Sequence, residues 1–93
     1  MTAYRRVAGV SETAVDADLY LVAPGSQDIF HLDPLAAGLW RMLQVPATDA
    51  ALTAVMIEAF PETDAAQIAA DVARSLALLS GQGLIETATA SRP

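Results

Sequence analysis

The sequence contains no cysteine, which excludes disulfide bonds, thiolate-ligated zinc and iron–sulfur sites, and thiol nucleophiles. It also contains no lysine, and its five glycines lack a phosphate-binding spacing, so the nucleotide chemistry of a P-loop is excluded as well. The only histidine, His31, has just Asp28 and Asp33 near it in sequence, which is too few converging ligands for a metal. The serines lack a nucleophile-elbow context. We therefore predict no catalytic residue, no metal and no cofactor.

Positive charge is scarce. Five arginines stand against eleven acidic residues, and the formal net charge is −6. Such a balance repels a phosphate backbone at long range, so nucleic acid is a disfavoured partner. No window stays apolar long enough to span a bilayer, and the N-terminus lacks the apolar run of a signal peptide. We expect a cytoplasmic protein that has no membrane partner.

Apolar residues are abundant, at 54% of 93 residues, and charged residues make up only 17%. A domain of this size folds without disulfides when its core is mostly apolar. We predict one packed domain over residues 1–87 and a frayed tail over 88–93.

The first third of the chain predicts strands. Apolar and polar residues alternate weakly at 13–16, and a β-prone run at 19–23 ends in a Pro-Gly turn signal at 24–25. A returning strand is expected at 28–32, and a further first strand within 5–10. Together these runs predict an N-terminal antiparallel three-stranded sheet.

Three helices should follow the sheet, because the hydrophobic period changes to 3.6 residues at Asp33. Leu35, Leu39 and Leu43 form the inner stripe of the first helix. Asp64 and Gln67 resemble a capping box at the start of the third. Caps, prolines and glycines predict the helix limits: Asp33-Pro34 to Val45-Pro46, Thr48-Asp49 to Pro61, and Thr63 or Asp64 to Gly81 or Gly83. The fold class is therefore α+β, compatible with a winged helix-turn-helix-like domain.

The strand at 28–32 comes last in the predicted sheet and is a candidate edge strand, with backbone groups available to a partner. Its alternation places Ile29 and His31 on one face, and Phe30 and Leu32 on the other. An edge blunted by Asp28 is the alternative. Three aromatic residues could form a ligand box, but at strand and helix spacing they are predicted to belong to the core: Phe30, Trp40 and Phe60.

The runs at 19–24, 29–33 and 36–40 resemble the PqqD-like family, in which an apolar strand and a turn lead to a strand ending in Leu-Asn and then to a helix with small residues and an Ile-Trp pair. The run at 68–72 and the later spaced leucines with Gly-Leu-Ile are similar to the closing segment of that family. The resemblance covers about 19–86. Asp33 stands where asparagine is common, and it serves equally as a helix cap.

The resemblance implies a RiPP recognition element, a non-catalytic domain that binds the leader segment of a ribosomally made precursor peptide as an added strand. It implies presentation of that peptide to a separate modifying enzyme, such as a radical SAM maturase, a cyclase or a protease. Arg74 would then be available to pair with an acidic leader residue. The implied peptide-binding residues are the backbone of the last strand and one face of the third helix: Ile29, Phe30, His31, Leu32, Asp71, Arg74, Ser75 and Leu78.

Two alternatives belong to other classes. A winged-helix DNA-binding protein would need a basic recognition helix, whereas the third helix offers one arginine against two aspartates. A structural adaptor subunit would join a larger enzyme without contacting a leader peptide. The oligomeric state stays open, with a homodimer among the options.

Overall fold

A computed structural model describes residues 2–16 and 18–88. Across these residues the chain forms six strands and three helices, and the α+β, winged-helix-like class is confirmed. The elements in chain order are β1 (Ala3–Arg6), β2 (Ser11–Val15), β3 (Asp18–Val22), β4 (Phe30–Leu32), α1 (Pro34–Met42), β5 (Ala47–Thr48), α2 (Asp49–Ala59), α3 (Ala65–Gly81) and β6 (Ile85–Thr87).

The predicted N-terminal sheet is antiparallel and three-stranded, in the order β2-β3-β4. After β3, the amide of Ser26 donates to the Ala23 carbonyl at 3.0 Å, and Gly25 has a φ of 79°. This is the tight turn that the Pro-Gly pair predicts. The returning strand begins later than predicted, at Phe30. The strand starts later because the amide of Asp28 donates to Ser26 Oγ at 3.0 Å, which extends the turn.

The expected first strand lies at 3–6 rather than within 5–10, and it does not join the hairpin sheet. It is the middle strand of a second sheet, in the order β5-β1-β6. Residues 84–85, expected to pack as an apolar tail, lead into β6, where Ile85 pairs with Arg6. The amide of Ala88 donates to the Ala3 carbonyl at 2.9 Å, so strand pairing reaches the first residue of the predicted tail. Residues 89–93 lie outside the described residues.

Side-chain caps begin the first two helices at the predicted residues, and the third begins at Asp64, one of its two predicted starts. Asp33 accepts from the amide of Ala36 at 2.8 Å, and Thr48 and Asp64 cap α2 and α3 in the same way. The predicted capping box is absent, because the Gln67 side chain donates to Asp71 instead, at 3.0 Å. These caps fix where α1 and α3 start relative to the sheet.

The C-terminus of α3 is closed by Gly83, which has a φ of 77°. Its amide donates to the Ser80 carbonyl at 3.1 Å, and the amide of Leu84 donates to the Leu79 carbonyl at 3.0 Å. This is a Schellman motif, in which a glycine supplies the left-handed conformation. The motif turns the chain directly from α3 into β6.

The core lies between the β2-β3-β4 sheet and the helices. Trp40 is buried, and Phe30 and Phe60 are half-buried against the same cluster, as predicted. Within residues 2–16 and 18–88, the helices fall short of the length and apolarity that a bilayer crossing requires. The buried apolar residues are Leu19, Leu21, Leu32, Ala36, Ala37, Leu39, Trp40, Leu43, Leu52, Met56, Ile68, Val72, Leu76, Leu79, Leu84 and Ile85.

Candidate functional site

β4 lies at the edge of its sheet. It pairs with β3 on one side, with Leu21 opposite Phe30 and Leu19 opposite Leu32. On its other side no strand pairs with it in the part of the chain that the structure describes. An antiparallel edge strand presents unpaired N–H and C=O groups along its free side. The free side of β4 can therefore accept a further strand.

The two faces of β4 are fixed by different contacts. Leu32 is buried and Phe30 is half-buried, both on the inner face. His31 points outward, where its Nε2 lies 3.0 Å from Asp18 Oδ1 and its ring centroid 5.1 Å from that of Tyr20. These contacts hold β4 against β3 without using its free edge. Ile29 precedes the strand and is 70% exposed.

A pocket of about 330 Å³ lies at the start of β4, and we call it the strand pocket. Its apolar wall includes the buried Leu21 and Leu84 together with Phe30. Ser26, Asp28 and Gln82 supply polar groups. The full lining is Leu21, Ala23, Ser26, Asp28, Ile29, Phe30, Gln82 and Leu84.

A second pocket, of about 290 Å³, lies between the start of α1 and the face of α3, and we call it the helix pocket. It brings together all four α3 residues that the family resemblance implies. Asp33 and Leu35, which immediately follow β4, complete it, and sequence reasoning missed their role. The lining is Asp33, Leu35, Asp71, Arg74, Ser75 and Leu78.

The two pockets lie at opposite ends of β4 and are lined by α3 or by the residues that follow it, and we infer that they are the ends of one groove, which we call the β4–α3 groove. The strand pocket is lined by residues at the start of β4 and by Gln82 and Leu84, which follow α3. The helix pocket is lined by Asp33 and Leu35, which follow β4, and by α3 residues within 71–78. The helix axis rises about 16 Å from Asp71 to Gln82, which matches about five residues of extended peptide. The groove is therefore long enough for a short strand with side chains entering both pockets.

The groove is acidic. Its lining contains the carboxylates of Asp28, Asp33 and Asp71 and a single base, Arg74. Nη2 of Arg74 donates to Asp71 Oδ1, which also accepts from Gln67. Arg74, expected to be available for an acidic ligand residue, thus already has a carboxylate partner within the chain.

Two other surfaces of the structure are alternative candidates for a binding site. All five residues of β2, at the opposite edge of the sheet, are exposed. A larger cavity of about 520 Å³ lies between the β1-containing sheet and the α2–α3 pair, with Tyr4, Thr53, Ala73 and Thr87 in its lining. That cavity contains no β4 residue. β6 is also an edge strand, and its Thr87 lines that cavity together with residues of α3. β4 differs in having a pocket at each of its ends, one at its start and one lined by the residues that follow it.

Comparison with known proteins gives one family and one fold. The family model described as coenzyme PQQ synthesis protein D (PqqD) matches residues 18–85. The solution NMR structure of the PqqD truncation of Methylobacterium extorquens PqqCD, titled a functional and stand-alone RiPP recognition element, is similar in fold, with a TM-score of 0.71. The sequences are 23% identical over 90% of this chain and 88% of the other. No curated protein sequence matches this one.

Proposed function

The chain belongs to the PqqD family, and on that premise we propose that it binds the leader segment of a ribosomally synthesised precursor peptide and presents it to a separate modifying enzyme. The predicted family membership is thereby confirmed. The single observation that supports the binding mode is the free edge of β4 beside α3, with a pocket at each end of the groove. The similar NMR structure carries a title that describes a recognition element for such peptides.

In this proposal the leader adds to the sheet as a fourth strand. Main-chain hydrogen bonds to the groups that alternate residues of β4 present on its free side supply affinity that is independent of leader sequence. Alternate side chains of an added strand point to the same face, so those on the inner face enter the groove and supply selectivity. Binding to an edge also protects the sheet from pairing with other chains.

Two exposed apolar side chains flank the groove and support its role as a binding surface. Ile29 is 70% exposed at the strand pocket, and Leu78 is 53% exposed at the helix pocket. Large apolar groups left in water beside a concave surface are typical of sites that a partner covers. Ser75 and Asp71 would then act by hydrogen bonding to the peptide.

The proposed domain binds and does not catalyse, and the partner enzyme performs the modification. A radical SAM maturase, a cyclase or a protease could receive a leader held in this way, because the groove leaves the rest of the precursor free. The DNA-binding alternative gains no support, since the one arginine of α3 is paired with Asp71.

The test uses the full chain, labelled with ¹⁵N, and the leader of a precursor peptide encoded beside its gene. We expect titration to perturb the amide signals of β4 and of α3 from Asp71 to Gln82, and to slow hydrogen exchange in β4. A scrambled leader is the control. Perturbation confined to β2 or to the 520 Å³ cavity would reject the binding mode, and the absence of any binding would reject the function.

A further inference from the structure

The helix pocket has aliphatic sides and two carboxylates. Its aliphatic sides are Leu35, which is half-buried, and Leu78, which is exposed. Oδ1 of Asp33 accepts from the amide of Ala36, and Oδ1 of Asp71 accepts from Gln67 and Arg74. Each carboxylate engages the described residues through one oxygen, so the other oxygen is available to a ligand. A pocket of this kind suits a side chain with an apolar stem and a cationic end.

Arg74 does not neutralise the pocket. One guanidinium faces two carboxylates there, and Asp28 adds a third carboxylate at the other end of the groove. Nearly three quarters of the Arg74 side chain is exposed, whereas less than a quarter of the Asp71 side chain is, so the cation lies on the solvent side of the pair. The formal charge of the whole chain, −6, attracts cationic peptides over a longer range.

We propose that the helix pocket takes a lysine or arginine side chain of the bound peptide, with its stem against Leu35 and Leu78 and its cation at Asp33 and Asp71. This inference rests on the proposed function and names the peptide class that the groove selects. The strand pocket takes an apolar side chain, against Leu84 and its apolar neighbours. Ile29 lines the strand pocket and Asp33 lines the helix pocket. These residues are four steps apart along the extended chain, about 13 Å at 3.3 Å per residue, so the basic and apolar residues of the peptide lie about four positions apart.

The first experiment selects binders to the full chain from a display library of random linear peptides. We expect the enriched sequences to share a lysine or arginine about four positions from a large apolar residue. Amide perturbation of β4 by a synthetic enriched peptide confirms that it occupies the groove. An enriched peptide of this kind is then made again with its basic residue replaced by glutamine.

The second experiment locates the cation by pairing the two peptides with variants of the protein. Asp33→Asn and Asp71→Asn remove charge but keep hydrogen-bonding groups, and asparagine is as good a helix cap as aspartate. Each substitution should weaken binding of the basic peptide by about two- to five-fold at low salt, and should hardly change binding of the glutamine peptide. Asp64→Asn is the matched control, since it removes the same charge from a helix cap outside the groove. It should leave the affinity for both peptides unchanged.

The outcomes separate the two proposals. Peptides that occupy β4 but show an acidic preference, which Arg74 would favour, or no charge preference, overturn this inference and leave the proposed function intact. If Asp64→Asn weakens binding of the basic peptide as much as the groove variants do, the effect comes from the charge of the whole chain and not from the helix pocket. That result also overturns this inference. Failure of the selected peptides and of the genomically linked leader to perturb β4 overturns the proposed function itself.

Discussion

Arg6 lies over the ring of Trp40, with its guanidinium carbon 4.1 Å from the centroid of the indole ring. Its Nε and Nη2 both donate to the Trp40 carbonyl, at 3.1 and 2.7 Å. The indole Nε1 in turn donates to Glu12 at 2.9 Å. Arg6 belongs to β1, Glu12 to β2 and Trp40 to α1, so this cluster joins both sheets to the helix that follows β4.

We expect Arg6→Ala to lower the free energy of unfolding by about 1–3 kcal/mol, because it removes a cation–π contact and leaves the carbonyl oxygen short of two donors. Arg5→Ala is the matched control on the same strand. Arg5 pairs with Glu86 while about half of each side chain is exposed, so its loss should cost about 1 kcal/mol or less. Urea denaturation of the two variants measures the difference, and equal losses would contradict a special role for Arg6.

The cap at Asp33 should matter through its hydrogen bond rather than its charge. Asp33→Ala leaves the amide of Ala36 without its partner at the point where β4 becomes α1. We expect a loss of about 1 kcal/mol, or about 4–8 °C in Tm for a domain of this size. Asp33→Asn should stay within about 2 °C of the unsubstituted protein by the same relation. A large loss in the asparagine variant would assign the effect to charge instead.

Two glycines at the end of α3 should respond oppositely to alanine. Gly83 has a φ of 77°, which an L-residue rarely adopts, so Gly83→Ala should cost about 1 kcal/mol. Gly81 ends the helix, and a Cβ there would meet no atom within 4 Å. Gly81→Ala should therefore be neutral or stabilise by about 0.5 kcal/mol. Denaturant titration compares the pair, and a similar loss in both would refute the assignment of the Schellman motif.

Sequence reasoning located the elements that depend on local signals. Asp33-Pro34 and Thr48 predict helix starts because a cap is satisfied within three residues, and the Pro24-Gly25 turn likewise needs no distant partner. The β5-β1-β6 sheet was missed because β1 pairs with β6 from the other end of the chain and β5 has only two residues. No periodicity can reveal a strand that short.

The two sides of the candidate site, β4 and the face of α3, were predicted, but the remaining walls of its pockets were not. The resemblance to a family implied Asp71, Arg74, Ser75 and Leu78, and these residues do share a pocket. Leu35 was assigned to the inner stripe of α1, but it is half-buried and lines that pocket. The pairing of Arg74 with Asp71 had a signal in the sequence, since residues three apart on a helix are neighbours. Ile29 and Phe30 of the strand pocket were implied by the resemblance, whereas its other walls had no signal, because they depend on how the end of α3 meets the turn before β4.

Leu78 offers the cleanest test of the groove by substitution. It is 53% exposed, so a polar replacement should not disturb the core, whereas Phe30 packs against the core and its replacement would also lower stability. We expect Leu78→Asn to weaken leader binding about five- to tenfold, because the peptide would no longer cover an apolar side chain there. Calorimetric titration with the leader encoded beside the gene measures the change. Val55→Asn is the matched control, since Val55 is an exposed apolar residue of α2 that lines neither pocket. If both folded variants bind the leader as tightly as the unsubstituted chain, the peptide does not lie against α3, and the groove is the wrong site.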